Sequence, residues 1–227
     1  MSRRWQQVRH QLRRNRPAQF SLFVLFIFVV AALCAGLSPY DPDRMALGAR
    51  TLPPDAAHWF GTDEYGRDYF TRALYGGQIS LMVGFLAMLF STLIGTVVGT
   101  VSGYFGGWLD NLMMRAVDIL MAIPAFFLLL VVNAYLKPGV ENIILIISLL
   151  TWMNMSRLVR AETLSVKERE YVLYARASGE HPLRIIVRHI IPGVLPTIIV
   201  AATLNIASAI LMESTLSFLG LGVQAPA

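Results

Sequence analysis

Cysteine is nearly absent from this chain. Cys34 stands alone in an apolar run, so neither a disulfide framework nor a cysteine metal site can form within the chain. Charge is scarce too. Charged residues make up 15% and hydrophobic residues 56% of the 227 positions, where a soluble domain of this size carries more charge. The charges gather in blocks and leave long apolar runs clear, which is the pattern of an integral membrane protein. No glycine-rich loop ends in Gly-Lys-Ser or Gly-Lys-Thr; Gly76-Gly77 and Gly106-Gly107 are turn signals, not nucleotide cradles. Also missing are a His-x-x-x-His pair with Glu, paired intramembrane aspartates and a Ser-His arrangement, which argues against an intramembrane enzyme. Several ionisable groups at mid-bilayer and two related halves are missing as well, which argues against an ion-coupled transporter or channel. The net charge of +5 is no sign of nucleic-acid binding, because the arginines fall where membrane topology wants them.

What is present is a set of five apolar spans, at about 20–37, 79–101, 112–136, 143–158 and 194–212, and hence an all-α, polytopic fold. The first is too long for a signal peptide and lacks its small-residue cleavage site. Arg3, Arg4, Arg9, Arg13, Arg14 and Arg16 precede it without an acidic residue. Arg157, Arg160, Lys167, Arg169, Arg176, Arg184 and Arg188 cluster between the last two spans. Both basic segments belong in the cytoplasm, and the even number of crossings between them agrees. The loop from Ser38 to Gly77, with its aspartates, then lies outside; Gly103 to Asp110 is a cytoplasmic turn and Lys137 to Glu141 an external one. Within the long outer loop, Asp63 to Tyr75 is expected to form a short helix, with Arg67, Asp68 and Arg72 placed for local pairing. Inside the spans, Pro124 is expected to kink the third. Arg115 and Asp118, three apart, are expected to pair, Arg157 to snorkel to the interface, and Glu213 to face protein or water.

The segment Glu170 to Pro192 is polar, basic and helix-forming, yet lies between apolar runs. It predicts two short helices. The first starts near Lys167 and ends at Gly179, which tolerates the positive φ of a C-terminal cap; the second starts at Pro182, which needs no amide hydrogen there. Leu183, Ile186, Val187, Ile190 and Ile191 follow the spacing of one buried stripe, with Arg184 and Arg188 together on another face. An amphipathic element of this kind either docks a partner in the water phase or lies in the lipid headgroups, and pattern leaves both open.

This segment resembles the cytoplasmic loop of binding-protein-dependent ABC importer permeases: Glu-Ala-Ala, three residues, Gly, nine residues, Ile-x-Leu-Pro. Here those positions hold Leu173, Tyr174 and Ala175, then Gly179, then His189, Ile190, Ile191 and Pro192. The spacing holds throughout, while Leu173, Tyr174, His189 and, mildly, Ile191 depart from the pattern. Other stretches are similar to the second-permease subunit of the dipeptide, oligopeptide and nickel importers. They are His58-Trp-Phe-Gly-Thr-Asp-Glu-Tyr-Gly-Arg-Asp68 with Arg72 and Gly77-Gln-Ile-Ser-Leu81, Gly103-Tyr-Phe-Gly-Gly-Trp-Leu-Asp110, and Ser217-Phe-Leu-Gly-Leu-Gly-Val-Gln224. The resemblance covers nearly the whole chain. It implies a type I importer-like fold with a sixth helix, expected beyond Ala227.

The resemblance also implies an organisation and a role. Residues 1–19 form a basic cytoplasmic segment, 20–37 the first span and 38–77 the external loop. Residues 78–227 form the permease core, with the coupling loop at about 161–192. No catalytic residue, metal site or cofactor is expected in this chain; ATP and magnesium would bind on partner subunits. The implied partners are a second permease, two ATPase subunits, an external substrate-binding protein and membrane lipid. Glu170, Ala175, Arg176, Gly179, Glu180, Pro182, Arg184 and Pro192 are the positions implied for ATPase coupling. Gly95, Gly99 and Gly103, with Ser91, make one face of span two small, for packing within the subunit or against the partner permease. Asp63, Gly66, Arg67 and Asp68 mark the external loop near the implied outer gate, and their expected task is to hold the loop's own fold.

Overall fold

A computed structural model describes residues 14–124, 127–128, 131–132, 135, 139–220 and 222. The leading arginines up to Arg13, parts of 112–136 and of 137–141, and most of the segment after Gly220 lie outside the described residues. The described chain is helical; its one isolated β-bridge joins Thr62 and Asp68. It divides into two units, Met1–Leu81 and Met82–Ala227.

In the first unit, α1 (Arg16–Leu33) starts at Asn15, whose side chain accepts from the Ala18 amide at 3.2 Å, with Pro17 in the first turn. Both features suit a helix start. It begins earlier and ends earlier than the predicted span: a tight turn, Ala35–Leu37, follows it. Only Ala32 of α1 is buried, and Phe20, Phe23, Phe26 and Phe28 are all exposed. A helix apolar all round is stable in lipid rather than water. The segment up to Asp68 is irregular but bonded through its backbone, with Ala46 N to Tyr65 O at 3.0 Å and Thr51 N to Asp63 O at 3.1 Å. The short helix expected at 63–75 does not form. Residues 63–68 make a turn, and α2 (Tyr69–Phe105) begins at its end and runs on without a break into the second unit. The irregular segment therefore ends before Tyr69, and residues 69–77 are already helical. At 37 residues, α2 is about 55 Å long, well beyond the ~30 Å hydrocarbon core.

The second unit continues α2 and adds α3 (Gly107–Met121), α4 (Val140–Val166), α5 (Glu170–Ala177) and α6 (Pro182–Ile185). A π-helical turn, Ile186–Ile190, joins α6 to α7 (Ile191–Phe218). The corner between α2 and α3 is a single residue, Gly106, not a turn across 103–110. Pro124 does not kink a helix: α3 ends at Met121, and the Phe127 and Leu128 amides start a new turn on the Pro124 carbonyl. Proline has no amide to continue the earlier ladder, so the helix stops there instead of bending. Four helical stretches among the described residues are long and apolar enough to cross a bilayer: Arg16–Leu33, Tyr69–Phe105, Val140–Val166 and Pro182–Phe218. The remaining predicted span, 112–136, falls partly outside the described residues.

α4 is the heart of this unit, with Ile143, Ile147, Met155, Val159 and Val166 all fully buried. It lies against the small face of α2. A Cβ at Gly95 would sit 2.6 Å from the Met155 side chain; one at Gly99, 2.6 Å from the Ser156 carbonyl; one at Gly103, 2.8 Å from Thr163 Cβ. Within this chain, then, the glycine face is filled by α4.

Candidate coupling site

The segment after α4 is built as two turns of helix around a glycine. α5 begins at Glu170, later than the expected Lys167, because α4 itself runs to Val166. It closes in a Schellman arrangement: the Glu180 amide reaches the Ala175 carbonyl at 3.1 Å and the Gly179 amide the Arg176 carbonyl at 3.0 Å. Gly179 takes φ +76°, as that motif requires. His181 is extended at ψ 137°, the conformation imposed on a residue before proline, and Pro182 opens α6.

The buried stripe of the second helix matches the predicted one at Ile186 and Ile190 but not at Leu183 and Val187. Ile185, Ile186 and Ile190 are buried, whereas Leu183 and Val187 are 60% and 64% exposed. The π-helical turn shifts the phase, and Pro192, which has no amide to donate back into the α ladder, follows directly. The same turn joins the element to α7, so the second helix and the last span are one continuous run. Ile185, Ile186, Ile190, Val172 and Ala175 enter one hydrophobic cluster with Tyr104 of α2, Met155, Val159 and Val166 of α4, and Val194 and Ile198 of α7.

The residues singled out from the sequence divide into two groups. Glu170, Arg176, Gly179, Arg184 and Pro192 are exposed; Ala175 is buried in the cluster and so faces away from any partner. Glu180 and Pro182 are half-buried. Glu180 bonds His189 Nε2 at 3.0 Å and has Arg184 Nε at 4.0 Å. The Arg176 guanidinium lies 5.3 Å from the Tyr104 ring centre. Exposed Tyr171, Leu173, Tyr174, Leu183 and Val187 give the element an apolar and basic outer surface.

Sequence reasoning missed the group beside this element. Asp110 is 7% exposed and receives the Arg160 guanidinium, Nε to Oδ1 at 2.5 Å and Nη2 to Oδ2 at 2.6 Å, together with the Ser102 hydroxyl. Lys167 Nζ donates to the Gly103 carbonyl at 3.0 Å. Asp110 lies four residues after Gly106, but nothing in the local sequence points to a partner fifty residues on. Two pairing expectations are corrected. Asp118 pairs with Arg157 of α4, so Arg157 does not simply snorkel, and Arg115 makes no ion pair among the described residues. The reason is geometric: Asp118 reaches across to a neighbouring helix rather than along its own. Glu213 is buried and accepts from the Ser217 hydroxyl at 2.7 Å.

In the loop that leads into α2 the pairing also differs from the expectation. Both Arg67 and Arg72 go to Asp63, at 2.7 and 2.8 Å, and the Tyr65 and Arg67 amides donate to its other oxygen at 2.9 Å. Burial raises the carboxyl's pKa, but the Arg67 and Tyr65 amides and the Arg67 guanidinium outweigh it and bring the pKa from 3.8 to about 2. Asp68 pairs with His58 Nδ1 at 2.9 Å and caps α2 through the Thr71 amide at 2.7 Å and hydroxyl at 2.8 Å. Burial pushes its pKa up, and the Thr71 and His58 bonds bring it below the ordinary value. Gly66 takes φ +77°, and a Cβ there would overlap the Ala46 carbonyl oxygen. All of these contacts lie within the loop and the first turn of α2.

Residues 95–227 match the family described as binding-protein-dependent transport system inner membrane component. Residues 3–54 match the N-terminal TM domain of oligopeptide transport permease C. The chain is 43% identical over 217 residues to the dipeptide transport system permease protein DppC of Bacillus subtilis, covering 95% of this chain and 68% of that protein. It is 42% identical over 225 residues to the oligopeptide transport system permease protein OppC of Escherichia coli, covering 98% and 74%. DppC of Alkalihalophilus pseudofirmus is 40% identical over 225 residues, covering 98% and 73%.

Proposed function

Because the chain belongs to the family of binding-protein-dependent transport system inner membrane components, we propose that it is a permease subunit of an ATP-driven importer for peptides. Dipeptides and oligopeptides are the first candidates, from the names of its relatives, and a nickel chelate is the related alternative. In this reading a second permease completes the pathway, and an external binding protein delivers the solute. Two ATPase subunits bind ATP and magnesium and drive the cycle. The N-terminus and the 167–192 loop face the cytoplasm, and the loop seats on an ATPase subunit.

The observation that carries the reading is the build of that loop. Its inner face is locked into the cluster shared by α2, α4 and α7, while Tyr171, Tyr174, Arg176, Leu183 and Arg184 stay exposed. A rigid element with one face in the core and the other free transmits a push from outside into the helices. Leu173 and Tyr174 stand where the family pattern has Glu and Ala, so the contact they make is more apolar than the pattern's.

Co-purification tests this. The native operon is expressed with a tag on this chain and extracted in mild detergent. An ATPase subunit is expected to accompany the native chain and to be lost with Gly179→Trp, which puts a bulky side chain at φ +76° and breaks the turn between α5 and α6. A folded native chain that holds its partner permease but no ATPase would overturn the docking role.

A further inference from the structure

The corner between α2 and α3 is Gly106, at φ +65°, and the first residue of α3, Gly107, also has positive φ, +57°. A side chain added at Gly107 would meet nothing within 4 Å, and one at Gly106 only Lys167 Nζ at 3.9 Å, so the two glycines themselves are not closely packed. Polar contacts span the corner instead. Ser102, in the last turn of α2, donates its hydroxyl to Asp110, in the first turn of α3. Arg160 of α4 grips the same carboxylate with two nitrogens, at 2.5 and 2.6 Å. Ser102 is 0% and Asp110 7% exposed, while the Arg160 side chain keeps 33% of its surface open, so the carboxylate is buried and its guanidinium partner reaches it from the edge. A bidentate guanidinium pair fixes orientation as well as distance. Glycines with open φ supply the freedom that the pair removes.

The same corner meets the coupling element. Lys167, just after α4, bonds the Gly103 carbonyl, and Tyr104 packs with Val172, Ala175 and Ile185. The ends of α2, α3 and α4 are thus tied together where the element joins the core. Among the described residues, α3 is also held to α4 by the Asp118–Arg157 pair further along, where Val117 is buried; at the corner itself the polar cluster ties α3 down.

We propose that Ser102, Asp110 and Arg160 form a latch over the Gly106–Gly107 hinge that makes α3 move with the coupling element. The inference rests on the importer reading above. With the latch closed, displacement of α5 and α6 by the ATPase subunits reaches α3; with it broken, the hinge absorbs the displacement. The three residues touch neither solute nor nucleotide, so they are positioning residues.

The test uses the whole complex in nanodiscs, with Cys34→Ser and Ala116→Cys placing one thiol of this chain on an exposed position of α3. Maleimide labelling at residue 116, read by mass spectrometry of this chain, is compared with and without ATP plus vanadate. With the latch intact, nucleotide changes the labelling rate. Asp110→Asn is expected to shrink that change by about tenfold while ATPase subunits stay bound and basal hydrolysis persists. Exchanging the charges, Asp110→Arg with Arg160→Asp, is expected to restore most of it. An Asp110→Asn complex that responds like the native one overturns the latch, as does a native complex whose residue 116 ignores nucleotide. Where Asp110→Asn loses its ATPase subunits through misfolding, Ser102→Ala, which removes one hydroxyl, decides in the same way. A native chain that holds no ATPase at all marks failure of the importer reading itself, and the latch falls with it.

Discussion

At the scale of single residues, Asp63 is the side chain with the largest consequence in the loop that leads into α2. It is 4% exposed and carries two arginines and two amides. Its depressed pKa means that the stability it lends is present above the unfolded value of 3.8 and is lost as pH falls through about 2. Pepsin cleavage between residues 38 and 68 is therefore expected to stay slow near pH 4 and to quicken toward pH 2. Asp63→Asn leaves Arg67 and Arg72 unmatched and should cleave fast at both. A native loop cleaved at the same relative rate across that range would contradict this. That Arg67, Asp68 and Arg72 pair locally was legible from their spacing. Their partners were not, because a helical register was assumed where a turn folds Arg67 and Arg72 back onto one carboxylate.

At the scale of elements, the glycine face of α2 gives a clean comparison. Gly99 lies against α4 backbone, where a Cβ would sit 2.6 Å from the Ser156 carbonyl and 2.9 Å from the Arg160 amide nitrogen. Gly76, on the same helix, has nothing within 4 Å of an added Cβ. Gly99→Ala is expected to cost about 1–3 kcal/mol through overpacking, while Gly76→Ala should gain up to about 1 kcal/mol of helix propensity. Thermal inactivation midpoints of the complex in detergent should thus move in opposite directions; a shared direction would count against the packing described. The four-residue step of Gly95, Gly99 and Gly103 was visible in the sequence, but its partner was not, since spacing defines a face and not what covers it. The π-helical turn was likewise hidden. Pro192 signals an irregularity, and only the packing of Ile185, Ile186 and Ile190 together shows how the ladder absorbs it.

At the scale of the whole molecule, the positive charges predict an orientation that labelling can check. Ala57→Cys in the loop that leads into α2 and Ser178→Cys in the coupling element both fall on exposed positions. In intact cells an impermeant maleimide is expected to reach residue 57 and not residue 178 until the membrane is opened. Labelling of residue 178 from outside would reverse the topology. The class of molecule followed from composition, because an apolar run free of charge has no stable place but a bilayer. The two short helices at 170–185 followed from Gly179 and Pro182, because few residues satisfy a positive φ or begin a helix without an amide. The contacts that join distant segments did not follow: Asp110 with Arg160, Asp118 with Arg157 and Tyr104 with the coupling element lie far apart in the chain. Local rules act over a turn or two, whereas these pairs exist only once helices pack and bring their ends to one corner.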